Sequence, residues 1–405
     1  MTKIRNTIEE LKCFYLSNDK STFFLALVMC CNVLGFMPQI PQLIVYGLLM
    51  ICAVNSLLKN TRYNMFWIFL LVYIPLCILI ASPKSYFRSW ERYVMFAILI
   101  MTVSPMLYSD RLRTIRFNML KIVIYTCVFI GVGSFFAKFL GINFMKSNFN
   151  VVGTFGGLTT HSMLLGPLSG IGAVYLCYKT IATQNKYYGI MTALCVMSVL
   201  FSASRSALIS SLVACVVVIY KMAERKSKFV RYIFVVSIIF AATFPVWEQA
   251  SSGIMEKQQR NIESGGQFSS RSSLWNARME EFKEHPFFGV GFVAIDDTHS
   301  SSYSNSKTGV IEPGSSWLSI LSMTGLLGAF FVFPILYQAF KIAWKSPNET
   351  STILVGLLSL FYMHMIAEGY IFSAGSFLCF TLWLIVGCAS DMKFADSAND
   401  NDLCI

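Results

Sequence analysis

Ser269-Ser270-Arg271-Ser272-Ser273-Leu274-Trp275-Asn276-Ala277-Arg278-Met279-Glu280-Glu281-Phe282-Lys283-Glu284-His285-Pro286 lies inside the one long polar segment of the chain, Glu248 to Ser316. The hydrophobic runs on either side of that segment are each long enough to cross a membrane. Placing it decides the fold, because everything before and after it reads as lipid-embedded helix. Serines suited to an N-cap and a terminating proline mark a short helix, 271–284, since the residue before proline disfavours the α region. Arg271, Trp275, Arg278 and Phe282 recur at helical spacing, so two guanidinium groups and two aromatic rings share a face. Such a face suits a multiply charged anion. The plainer alternative is a solvated face on which Arg271 and Arg278 pair with Glu280, Glu281 and Glu284.

Of the 405 residues, 55% are hydrophobic and 13% charged, whereas an ordinary soluble domain carries about a quarter charged residues. The chain is therefore expected to be an all-α, polytopic membrane protein. Its net charge of +11 sits in short clusters between apolar segments, with no continuous basic face. This argues against nucleic acid as a partner and for charge-sorted membrane orientation. The 12 cysteines lie mostly within apolar runs and show no CxxC or Cys/His ligand spacing. A zinc site or disulfide framework is not expected, and buried thiols packing as small hydrophobes are.

Candidate spans fall at 21–37, 41–58, 64–82, 92–108, 118–140, 161–178, 187–203, 205–221, 229–247, 317–340, 351–369 and 371–389. This gives about twelve transmembrane helices, each near the roughly 20 residues a bilayer core requires. Residues 1–247 hold about nine of them, 248–316 form the large loop between spans 9 and 10, 317–390 hold about three, and 391–405 form an acidic tail. The first apolar run has no cleavage site after it and reads as an uncleaved helix. Basic clusters at Lys59/Arg62, Arg111 to Lys121, Lys179/Lys186, Lys221 to Arg231 and Lys341/Lys345 mark one side as cytoplasmic. Both termini then lie in the cytoplasm of a bacterial inner membrane, and the long loop faces the periplasm. Lys84, Arg88, Arg92, Lys138, Lys146 and Arg205 depart from the rule by facing outward. Lys84 and Lys138 are accounted for by snorkelling to lipid phosphate. Arg205 sits in the tight turn Ser202-Ala203-Ser204-Arg205-Ser206-Ala207, flanked by small residues that allow close approach, and reads as functional.

Ser204-Arg205-Ser206-Ala207, Arg271-x3-Trp275, His285-Pro286-x2-Gly289-Val290-Gly291 and Gly325-Leu326-Leu327-Gly328, in that order, resemble the O-antigen ligase/polymerase superfamily. The sharp motifs lie between Ser202 and Gly328, while the likeness in topology covers the whole chain. The resemblance implies an inverting, metal-independent, GT-C type membrane glycosyltransferase with no cofactor. It also implies an undecaprenyl diphosphate-linked oligosaccharide as substrate. Fixed arginines stabilise a departing diphosphate by hydrogen bonds that strengthen as the bond breaks. Arg205 and Arg271 match the family's arginine positions, and Arg278 is a helper by spacing.

The family's ligases carry a histidine ahead of the Gly-x-x-Gly element, where this chain has Gly314-Ser315. Glu312, in Ile311-Glu312-Pro313-Gly314-Ser315-Ser316-Trp317, is the nearest carboxylate to take its place, and this form resembles the polymerase branch. A glutamate set at a helix N-terminus for dipole reasons is the alternative. His364 and Glu368, at i, i+4 near the end of the eleventh span, are expected to share a face and to act at the site or bridge helices. His161 follows a glycine-rich segment that either lines the donor groove or makes an interfacial turn. His285 closes its helix, and His299 is solvated loop. Gly325-x-x-Gly328 reads as close helix packing. Trp275 and Trp317 stack on sugars or belong to an aromatic belt.

The sequence thus predicts a polysaccharide polymerase, with Arg205 and Arg271 on the diphosphate and Glu312 or His364 by the acceptor hydroxyl. Membrane lipid, a chain-length regulator and a flippase are the expected partners. An O-antigen ligase handing glycan to the lipid A core is the alternative. A non-enzymatic transporter is a third reading, for which the sequence shows no internal repeat.

Overall fold

A computed structural model describes residues 20–57, 62–80, 88–145, 154–223, 269–296 and 311–393, together with positions 229–230, 255 and 259. Most of the expected ninth span, most of the polar loop on either side of its helix, residues 394–405 of the acidic tail and Lys84, Lys146 and His299 lie outside the described residues. The described part is helical: α1 (Lys20–Cys31), α2 (Gln42–Leu57), α3 (Met65–Ile80), α4 (Ser89–Val103), α5 (Asp110–Phe139), α6 (Ser162–Thr183), α7 (Lys186–Phe201), α8 (Arg205–Met222), α9 (Ser269–Glu284), α10 (Ser316–Lys345), α11 (Glu349–His364) and α12 (Phe377–Asp391). Two short strands, β1 (Arg62–Tyr63) and β2 (Leu107–Tyr108), pair antiparallel. Within these helices Leu112–Phe139, Ser162–Thr183, Arg205–Met222 and Ser316–Lys345 are long and apolar enough to cross a membrane. The chain is a mostly helical membrane protein.

Small residues set the register of the central helices. A Cβ on Gly356 of α11 would lie 2.5 Å from Val218 of α8, and one on Gly170 of α6 would strike Ser211 of α8 and come within 3.0 Å of Leu360 of α11. One turn further on, Gly166 leaves only 2.7 Å to Ala207, beside Ser202 and Ser204. The start of α6, the start of α8 and the end of α11 therefore stand at the same end of the bundle. Glycines permit this approach because van der Waals contact, rather than a hydrophobic drive, holds helices together in lipid.

Three expected boundaries move. The fifth span begins at Asp110 rather than 118, with Ser109 capping it by accepting from Leu112 N at 3.2 Å. Arg113 and Arg116, expected as loop charges, are consequently buried in its first turns. Arg116 is tolerated there because Nη1 donates to both oxygens of Asp391, at 2.9 and 2.8 Å, while Nη2 donates to Leu107 O. The eleventh span ends at His364, and the twelfth starts at Phe377 rather than 371. The chain between them folds back in turns, so His364 and Glu368 do not share a helical face. Close approach of Gly369 to Pro313 and donation of Tyr370 N to Ser316 Oγ at 3.0 Å hold that turn.

Of the Gly325-x-x-Gly328 pair expected as a helix–helix seam, Gly328 packs in that way, a Cβ on it lying 3.2 Å from Tyr73 of α3, but Gly325 does not. Gly325 takes φ 64° and ψ −168° inside α10 and breaks the helix. Lipid cannot satisfy the backbone groups freed by such a break, so protein must. The segment leaving α9 does so: Val290 N donates to Ser322 O at 2.8 Å, Leu326 N to Pro286 O at 2.8 Å and Leu327 N to Phe287 O at 3.3 Å. Tyr73 of α3 adds its hydroxyl to Thr324 O at 2.6 Å. Any side chain on Gly325 would strike the Phe287 carbonyl, and one on Gly289, at φ 71°, would lie 2.5 Å from Ser322 O. The His-Pro-x2-Gly-Val-Gly and Gly-x-x-Gly motifs are two halves of one joint. Gly325→Ala and Gly289→Ala should each cost about 2 kcal/mol or more in stability. Gly47→Ala, with nothing within 4 Å, should not. Thermal unfolding of the detergent-solubilised protein checks this, and equal melting for all three would contradict it.

Candidate active site

Helix α9 runs from Ser269 to Glu284, close to the 271–284 expected from its caps. Leu274, Ala277, Arg278 and Glu281 form its buried stripe, at the i, i+3, i+4, i+7 spacing of an amphipathic helix. Trp275 Nε1 donates to Gly314 O at 3.1 Å. Gly314, at φ 75°, lets the chain pass with only 2.7 Å between its missing Cβ and Leu274 Cβ. The Glu312-to-Trp317 segment is thereby pressed onto α9.

The same segment grips the turn after α11. Ser315 caps α10 by accepting from Leu318 N at 3.4 Å and donates to Met365 O at 3.2 Å. Ser316 gives its amide and its hydroxyl to Glu368 O, at 3.0 and 2.7 Å. With both backbones fixed, two carboxylates flank one guanidinium: Arg271 Nη1 meets Glu312 Oε1 at 2.8 Å and Nη2 meets Glu368 Oε1 at 2.5 Å. The side chains of Arg271, Glu312 and Glu368 are 22%, 37% and 15% exposed. Glu312 is thus the carboxylate most open to an incoming group. Among the described residues, Arg271 spends two of its five N–H donors on these carboxylates.

The remaining predicted residues separate. Arg278 does not extend Arg271's open face: it is 3% exposed, turned into the joint with α10, and donates through Nη2 to Glu281 Oε1 at 2.7 Å. Glu281 Oε1 also accepts from Asp296 N at 2.8 Å. Burial pushes the Glu281 carboxyl up to about 7, with the Arg278 guanidinium and the Asp296 amide opposing the rise. Burial likewise lowers Arg278, opposed by Glu281 and Asp296. The alternative read from the sequence, a pairing with α9's own acids, holds for Arg278 with Glu281 but not for Arg271. Glu280 pairs with Lys283 at 2.8 Å on the outer face.

Arg205 opens α8, where Ser204 caps the helix and Ala203 takes φ 54° to make the turn. The small residues expected to allow close approach are used instead to seat the turn on Gly166 of α6. By the register of α6, α8 and α11, Arg205 stands at the same end as His364 and the Arg271 cluster. His364 is 1% exposed and engages Tyr370, Nδ1 to hydroxyl at 3.3 Å with the rings stacked at 5.7 Å. That places it behind the open carboxylates and takes it out of reach of an acceptor. His161 caps α6, its Nδ1 accepting from Met163 N at 2.9 Å, and the glycine-rich stretch before it is pinned by Gly35 N to Leu158 O at 2.8 Å. His161 thus serves as a helix cap next to a turn held by backbone hydrogen bonds. Trp317 Nε1 donates to Tyr362 O at 3.0 Å, tying α10 to α11. Tyr370, Ser315 and Ser316 went unnoticed in the sequence, although a serine pair directly after Pro-Gly is a cap signal.

Fold and site together define a polytopic helical membrane protein with an arginine clamped between two carboxylates at one end of its bundle. Residues 190–333 match the family described as O-antigen ligase, which supports the resemblance to the O-antigen ligase/polymerase superfamily over that part of the chain. The match runs from α7 to the first half of α10 and takes in the Arg205 turn, Arg271, Glu312 and the Gly325 break. It indicates a function of the O-antigen ligase or polymerase type. No curated protein matches the chain.

Because Glu281 holds its proton more tightly folded than unfolded, its contribution to stability is full below about 4.5 and falls as pH rises to about 7. Melting temperature should decline across that window in the wild type and change less in Glu281→Gln. The same slope in both proteins would contradict it.

Proposed function

We propose that the protein is a surface-polysaccharide polymerase that joins repeat units carried on undecaprenyl diphosphate at the periplasmic face of a bacterial inner membrane. The observation that supports this most is the Arg271 clamp, in which a partly exposed guanidinium and two carboxylates are fixed beside one another. In this reading the acceptor hydroxyl attacks the anomeric carbon of the donor sugar with inversion and passes its proton to Glu312. The carbon–oxygen bond to phosphate breaks, and its electron pair leaves with the lipid diphosphate. The remaining N–H groups of Arg271, with Arg205 from the neighbouring helix end, hold the growing negative charge. Glu368 orients Arg271 from its other side. Glu312 replaces His364 as the base because only the former is open. Trp275, one turn along α9 from Arg271, stacks its ring on the sugar in this reading.

The ligase reading, transfer of the glycan to the lipid A core, is favoured by the description of the matching family. Against it stands the Gly314-Ser315 pair in the register where the family's ligases carry histidine. A transporter without chemistry would have no use for the exposed carboxylate beside the clamp.

Arg271→Ala and Arg205→Ala should each lower polymer formation by about 100-fold or more while the protein remains in the membrane. Glu312→Gln should do so with donor binding retained. Glycan ladders from cells carrying each variant are the measurement, and normal ladders from either arginine variant would remove the diphosphate assignment. Deletion of the protein should leave single capped repeats; unattached lipid-linked polymer would favour the ligase, and units trapped in the cytoplasm the transporter.

A further inference from the structure

At the end of the bundle opposite the Arg271 clamp, a cavity of about 320 Å³ opens between the start of α3, the β1/β2 pair, the last third of α10 and the end of α12. Its size sits at the lower end of ligand pockets, roughly 300–1,000 Å³. Asn64, Trp67, Tyr108, Gln338, Asp391 and Lys393 give its wall both ring surface and hydrogen-bonding groups.

Charge decides what such a cavity takes. Among the described residues Asp391 is the only carboxylate in the wall, and both its oxygens already accept from Arg116, at 2.9 and 2.8 Å. A cationic ligand therefore finds no free counter-charge. Lys393 is exposed at the mouth and has no carboxylate partner among the described residues, while Arg113 and Arg116 are buried beneath. Asn64 Oδ1 is taken by Phe66 N at 3.1 Å, which leaves its amide N–H groups as donors.

Shape points the same way. Met65 lies at the rim and begins a stripe of exposed apolar residues along α3: Phe69, Val72, Leu76 and Leu79. A polar cavity that continues into an apolar stripe on a membrane-facing helix has the two-part form of a phospholipid. This end also carries Lys179, Lys186, Lys341 and Lys345, the charge pattern of a cytoplasmic interface.

We propose that this cavity binds the headgroup of an anionic glycerophospholipid, with the phosphodiester held by Lys393, Gln338 and Asn64 and an acyl chain laid along α3. Occupancy ties α3, α10 and α12 together at the end away from the Gly325 break. The site is independent of the transferase reading and stands or falls without it.

Native mass spectrometry of the full chain, titrated with phosphatidylglycerol, phosphatidylethanolamine or glycerol 3-phosphate, tests it. Phosphatidylglycerol should be retained about fivefold or more over phosphatidylethanolamine, and glycerol 3-phosphate should not compete. Lys393→Gln should lower phosphatidylglycerol retention about fivefold, since one cation near the surface contributes about 1 kcal/mol. Gln338→Trp, which fills the cavity, should lower it further, with the melting temperature of both variants unchanged. Equal retention of the two lipids, full retention by both variants, or competition by glycerol 3-phosphate would each overturn the proposal, the last by marking a site for soluble phosphate.

Discussion

A guanidinium with a carboxylate on each side governs how this protein is put together. Arg271 comes from the loop helix, Glu312 from the approach to α10 and Glu368 from the turn after α11. Three segments far apart in the chain must be fixed before that group can form. Ser315 and Ser316 fix two of them to each other, and Trp275 with Gly314 fixes the third. A partly exposed ion pair contributes modestly to stability by itself. Its arrangement is therefore more economically read as built for a ligand than for the fold.

The break at Gly325 is what lets a polar loop sit this deep. An uninterrupted α10 would have no free backbone group for Val290 or Pro286 to meet, and α9 would rest on side chains alone. Breaking the helix exchanges intrahelical hydrogen bonds for bonds to the loop, which fix the loop's position. Tyr73 draws α3 into the same joint. Rigidity of the loop helix and irregularity of the span are thus one feature, and the buried Arg278–Glu281 pair sits inside it.

Much of this was legible in the sequence, and the failures are instructive. The loop helix was readable because its caps and Pro286 are local signals. Arg205 is marked by facing outward against the charge-sorting rule in a turn of small residues, and Arg271 by its helical spacing with Trp275 and Arg278. The partnership of Arg271 with Glu368 was not readable: 97 residues separate them and no local pattern links them. His364 and Glu368 were misjudged because an i, i+4 spacing means a shared face only while the helix lasts, and α11 stops at His364. Gly325 was read as a packing residue since a glycine in an apolar run carries no mark of the sign of its φ. Arg113 and Arg116 were counted as loop charges because Asp391, which lets Arg116 be buried, lies 275 residues from it.

The account holds that the remaining donors of Arg271 receive a lipid diphosphate, with Glu312 beside it to take a proton. A structure of the full chain with an undecaprenyl diphosphate analogue bound tests that most directly. The account predicts phosphate oxygens within hydrogen-bond distance of Arg271 and of Arg205, with the Glu312 carboxylate facing the sugar. A diphosphate seated elsewhere, with the two carboxylates and Arg271 closed on one another and no ligand atom near them, would contradict it.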